Sequence, residues 1–164
     1  MSVPPPMKRT GWIDLAVPFV VIAVTAYVLL RFAYGSLPTL GYFEAVPLAA
    51  LGLVEFAVAR RVRAAVRHEP HARPMTAIAI ARCVALGKAS SLVGAAVAGA
   101  AVGLLVRTAP DADMVSAAAH DTRASLVLLG ACVLVVAAGL LLERSGIDPN
   151  LERRLREQRR HEQS

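Results

Sequence analysis

The sequence predicts an all-α membrane protein in which four transmembrane helices form an antiparallel bundle with both termini in the cytoplasm. Three observations carry that reading. Of the 164 residues, 56% are apolar and only 18% charged, against about 45–50% and about 25% for soluble domains. The uncharged residues fall into long blocks, and the Lys and Arg residues gather in the segments on one side of them. The composition excludes a disordered chain. It also excludes a nucleic-acid-binding reading of the +6 charge and pI near 10.1, because the basic residues separate apolar runs instead of sharing a soluble face.

A bilayer core about 30 Å thick needs about 20 helical residues. Uncharged runs at 15–30, 89–106 and 124–142 qualify almost unaided. The run at 45–54 is short, and it becomes a span only if Glu44 and Glu55 are tolerated. The spans are therefore drawn at 12–30, 42–59, 87–106 and 124–142, forming a membrane domain over 12–142. A disordered leader at 1–11 with Pro4, Pro5 and Pro6 precedes it, and a charged tail at 143–164 follows.

Counting Lys and Arg between spans gives the orientation. Thirteen lie on one side: Lys8, Arg9, Arg60, Arg61, Arg63, Arg67, Arg73, Arg144 and five in the tail. Only Arg31, Arg107 and Arg123 lie on the other, and Arg82 and Lys88 stand at the start of the third span. The bias places both termini in the cytoplasm, which requires an even number of spans and supports the weak second one. Trp12 marks the inner interface, and Phe32, Tyr34, Tyr42 and Phe43 the outer one. A secretory signal cleaved near Ala33 to Ser36 is the rival reading. Its apolar segment would exceed the usual length of about 7–15 residues, and cleavage would leave an odd span count.

The turn-rich connection 31–41 holds Gly35, Pro38 and Gly41, and its shortness predicts that the first two helices are antiparallel neighbours. The loop 107–123 contains Pro110 and has room for a short helix at 117–119. Between spans two and three, 59–67 lacks a breaker and extends the second helix. Pro70 and Pro74 end that extension, with Pro74 placed to open the third helix. Arg60, Arg61, Arg63, Arg67 and Arg73 set topology in the first place, and as a lesser role meet anionic lipid headgroups. In the tail, Asp148 and Pro149 read as helix start signals. Leu151 and Leu155 form too thin a stripe for membrane insertion.

Glu55 is the residue from which chemistry would start. A charge at bilayer depth costs about 2.5–3.5 kcal/mol on insertion scales, and this one lies about 7–8 Å inside its span. An ion pair with Arg82 or Lys88 on the antiparallel third helix is the favoured expectation, ahead of snorkelling to the interface and of a proton- or substrate-linked carboxylate. Asp14 and Glu44 read as interfacial. On the third helix, Gly87, Ser91, Ala95, Gly99 and Gly103 make a small-residue groove that includes a GxxxG, expected to pack within the molecule before it makes a dimer seam. Pro18 and Pro47 are candidate kinks.

Catalytic and metal readings find little support. His68 and His71 flank Glu69, but Pro70 interrupts their helix, and His120 and His161 lie elsewhere, so no zinc site is expected. Ser90 and Ser91 lack a base and read as packing residues. Cys83 and Cys132 lie at different depths and are expected to be free thiols. No cofactor motif is present.

One block does resemble a known family. The run from Val54 through Glu55 to Arg63 is followed by Ala72-Arg73-Pro74, Ala81-Arg82, the stretch from Leu86 through Lys88 to Ser91, and then Gly94, Gly99 and Gly103. It resembles the small four-span membrane proteins of Actinobacteria grouped as a domain of unknown function, over about 12–143, although Gly87 stands where members more often have Ala. The resemblance implies fold and a plasma-membrane location, with genes for folate biosynthesis as frequent neighbours, and brings no catalytic residues. The function expected is that of an accessory or interaction subunit, not an enzyme, with a membrane-protein partner or a second copy of itself. The alternative is a small dimeric transporter or exporter that uses Glu55 as its coupling carboxylate. For the topology, a C-terminal green fluorescent protein fusion should fluoresce and a C-terminal alkaline phosphatase fusion should be inactive. The opposite pattern would refute cytoplasmic termini.

Overall fold

The computed structural model describes residues 10–33, 41–67 and 75–146. Of these, 91% are helical and none is in a strand. Four helices are long and apolar enough to cross a membrane: α1 (Trp12–Ala33), α2 (Ala45–Val66), α3 (Ala77–Thr108) and α4 (Ser116–Ser145). A short 3-10 turn, Tyr42–Glu44, leads into α2, and another, Ala109–Asp111, follows α3. The Pro-rich leader, the possible cleavage site, His68, His71, Arg73, Pro74 and the tail with its start signals and leucine pair lie outside the described residues.

The helix starts have local causes. Asp14 accepts the Gly11 backbone N–H at 2.9 Å and Thr76 that of Ala79 at 3.3 Å, while Glu44 reaches Gly41 N at 3.4 Å. Side chains so used satisfy donors that a helix N-terminus leaves open, so Asp14 and Glu44 serve as helix-start acceptors. Pro47 lies in the first turn of α2, where the missing N–H has no partner to lose. At 32 residues α3 is about 48 Å long, and α4 at 30 about 45 Å. Both exceed the bilayer core, so α3 begins ten residues before the span drawn from hydropathy and α4 eight before. The short helix expected at 117–119 is the first turn of α4.

The helices alternate in direction along the chain, but their neighbours in space are not their neighbours in sequence. Helix α1 packs on α3, α3 on α4, and α4 on α2; α2 touches α3 slightly, and α1 touches neither α2 nor α4 along its length. The expected α1–α2 neighbour pair is therefore not formed. Eight residue steps from Ala33 to Gly41 reach at most about 26–29 Å, comparable with the three spacings of about 8–10 Å between the outer helices of such a row. The outer pairs are consequently parallel: Gly52 of α2 meets Leu134 of α4, and Gly99 and Gly103 of α3 meet Phe19, Ala23 and Ala26 of α1.

Glycine makes the central contact. A Cβ built on Gly87 would lie 2.6 Å from the Gly139 carbonyl oxygen, and one on Gly139 would lie 2.6 Å from that of Gly87. The α3 and α4 backbones thus touch directly, an approach open only to glycine here and one that suits Cα–H···O contacts. The five groove positions are all buried, but they serve two partners. At 100° per residue a four-residue repeat drifts 40° per step, so Gly99 and Gly103 are turned about 120° and 160° from Gly87. Gly87 and Ser91 accordingly meet α4, while Gly99 and Gly103 meet α1. This drift places α1 and α4 on nearly opposite sides of α3 and opens the arrangement into a row.

The side-chain core is concentrated where α2 meets α4 near the end that carries the Arg-rich segment. There Ala59, Val62 and Leu142 are enclosed by Val58, Val66, Met75, Ile80 and Cys83. Trp12, Phe32 and Phe43 are almost fully exposed at the helix ends. Gly99→Ala should destabilise the protein by about 1–3 kcal/mol because its methyl would fall on the Phe19 carbonyl oxygen. Gly130 has nothing within 4 Å of a built Cβ, so Gly130→Ala should be neutral or stabilising by up to about 1 kcal/mol. Equilibrium unfolding in mixed micelles measures both.

Candidate functional site

Glu55 stands midway along α2, ten residues after Ala45 and eleven before Val66, about 15 Å from either end. The buried residues of α2 are Ala45, Gly52, Glu55, Ala59 and Val62, at the three-, four- and seven-residue spacing of one helix face. Glu55 thus belongs to the stripe that packs on α4. Its relative exposure is 1%, and neither carboxylate oxygen has a hydrogen-bond partner. The pairing expected with Arg82 or Lys88 is therefore not formed as a hydrogen-bonded ion pair.

The reason is helical register. The polar group of α3 next to Glu55 is the Ser90 hydroxyl. Lys88 is two residues from Ser90 and so about 200° around the helix, while Arg82 is eight residues, or about 12 Å, further along it and exposed. The Ser90 hydroxyl does not satisfy the carboxyl either, since it donates its proton to the Leu86 carbonyl at 3.0 Å. Ser91 likewise donates to Lys88 O at 2.9 Å. Such back-bonding quiets hydroxyls in helices, and Thr25, Thr108 and Ser125 do the same.

Two further buried carboxyls escape a reading of the sequence alone. Glu143, near the end of α4, accepts the Thr10 backbone N–H at 2.7 Å through Oε1, and so ties the start of α1 to α4. Its Oε2 and the Thr10 hydroxyl are buried without partners. At the opposite end of the row Asp121 is buried, with His120 Nδ1 at 3.7 Å from its Oδ1. The His120 ring meets Tyr42 edge-on at 4.9 Å, and Thr122 donates to the Thr108 hydroxyl at 2.9 Å. The available signal was the three- and four-residue spacing of Ala118, Asp121 and Ser125, which continues the buried face of α4 back beyond the drawn span.

Arg60, Arg61, Arg63 and Arg67 are exposed on the last turns of α2 and just beyond. Cys83 and Cys132 are free. Among the described residues no three His, Cys, Asp or Glu side chains gather as a metal site.

The model of a family described as "Protein of unknown function (DUF3180)" matches residues 15–149. The chain belongs to that family. The match takes in α2, α3, α4 and all but the first three residues of α1, with Glu55, Ser90 and Glu143, and ends before most of the basic tail. No curated protein and no solved structure is significantly similar to this DUF3180 chain. Within the fold, the Thr10–Glu143 bond should protect the Thr10 amide from hydrogen exchange. Glu143→Ala should release that amide by at least tenfold and leave the amides of α3 protected; equal exchange in both proteins would show that the bond does not hold the helix start.

Proposed function

We propose that this DUF3180 protein is an accessory or interaction subunit of a larger assembly in the plasma membrane. The observation that carries the reading is the open order α1–α3–α4–α2. Helix α1 has one protein neighbour along its length and no buried residue in its span. A closed four-helix bundle would give each helix two neighbours. In the row, the flanks of α1 and α2 are left for lipid or for another protein, and the apolar surface on α1, with Val17, Val20, Val21 and Val24 exposed, suits either. Hydroxyls bonded within their own helices leave little polar equipment for catalysis.

The thirteen-to-three basic bias supports cytoplasmic termini, with Arg60, Arg61, Arg63 and Arg67 beside anionic headgroups. The resemblance to actinobacterial proteins encoded beside folate-biosynthesis genes supports a bacterial plasma membrane as the setting.

A second reading, a dimeric transporter coupled through Glu55, is favoured by one observation: the carboxyl is buried at mid-helix with no cation bonded to it. One preparation separates the two. Native membranes are extracted into polymer-bounded lipid discs, a photo-crosslinking residue is placed at Val20 or Val24, and the products are weighed by native mass spectrometry. The subunit reading expects a stoichiometric adduct with a different membrane protein. Adducts with a second copy of this chain favour the transporter, and adducts with lipid alone refute the subunit reading.

A further inference from the structure

Glu55 is a fully buried carboxyl without a hydrogen-bond partner. Its two oxygens are shielded and accept nothing. The neighbouring Ser90 hydroxyl donates to Leu86 O at 3.0 Å, and a hydroxyl so bonded keeps lone pairs with which to accept. Ser91 on the same helix has spent its proton on Lys88 O. On α4, Glu55 lies between the level of Gly52, which meets Leu134 and Val135, and the level of Ala59 and Val62, which meet Leu142. The α4 stretch at those levels, 134–142, is Leu, Val, Ala and Gly without a titratable group. The charged groups nearest in sequence on the packed helices are Lys88 and Arg82 on α3 and Glu143 and Arg144 beyond that stretch on α4, and none of them donates to Glu55. A buried carboxyl with neither oxygen paired is incomplete, because unpaired polar groups in such surroundings are costly. A proton or a bound cation would supply the missing partner.

The geometry points to a buried binding site for one monovalent cation, a proton or a sodium ion, held by the Glu55 carboxyl and the Ser90 hydroxyl in the seam between α2, α3 and α4. A proton on Glu55 would donate to Ser90 Oγ and extend the chain already running from Ser90 to Leu86 O. A sodium ion would draw on the same oxygens, the hard donors such ions prefer. Either ion makes the cluster neutral. The site shares Glu55 with the transport reading but requires only binding and exchange, so it stands if no flux is ever measured.

The test is infrared difference spectroscopy of the full-length protein in lipid vesicles, with pH varied at constant salt, and sodium exchanged for choline at constant pH. If the ion is a proton, the wild type shows a carboxylic-acid C=O band that converts to carboxylate bands as pH rises and ignores sodium. If it is sodium, added sodium depletes the acid band at fixed pH. In both cases Glu55→Gln lacks the band. Ser90→Ala, a smaller change at a back-bonded hydroxyl, keeps the band but moves it to higher frequency through loss of its acceptor. Because Ser90→Ala reads the same carboxyl without altering it, the test holds even if Glu55→Gln does not fold. Spectra of wild type and Ser90→Ala that superimpose under all conditions overturn the site. So does a Glu55 signal that neither pH nor sodium changes.

Discussion

The contact on which the rest of the structure depends is the direct approach of α3 and α4 at Gly87 and Gly139. In lipid, helices gain little from hiding apolar surface from one another, so association rests on close packing and on polar contacts. Two glycines whose carbonyls each occupy the place of the other's side chain bring the helices together along most of their length. With that seam closed, α4 offers α2 a face of Val135, Ala138 and Leu142, and α3 offers α1 the glycines further along. Replacing either glycine would separate the central pair and with it the platform for both outer helices.

The polar residues follow the same logic of depth. Hydroxyls within the row are satisfied by their own backbone, which costs no tertiary partner. Carboxyls near the ends find specific work: Glu143 holds the start of α1, and Asp14 and Glu44 serve helix starts. Glu55 alone combines a mid-helix position with full burial and two unpartnered oxygens among the described residues. This contrast, not its charge as such, separates it from the other acidic groups.

The four helices were legible because hydropathy averaged over some twenty residues is a property of each segment alone. Their spatial order was not, because it depends on which face of α3 each glycine occupies, and a stripe read as continuous at four-residue spacing in fact winds around the helix from Gly87 to Gly103. Glu55 was recognisable as the residue out of place, but its neighbour was assigned by depth, where Arg82 and Lys88 appeared eligible, and depth says nothing of azimuth. Glu143 and Asp121 were missed because helix ends were drawn where hydrophobicity stops, one residue short of the first and three past the second, while the folded helices continue through both.

The interleaving of the two hairpins also has a bearing on how the protein is made. Chains enter the membrane from the N-terminus onward, so α1 and α2 are delivered before α3 and α4 exist, and neither has a contact with the other to form while it waits. During that interval Glu55 faces lipid or the insertion machinery, without the α4 face or Ser90 that later enclose it. The second hairpin supplies the contacts that α1 and α2 lack, and its arrival converts four separate spans into one folded unit. Assembly of this fold is therefore governed by its last-made half.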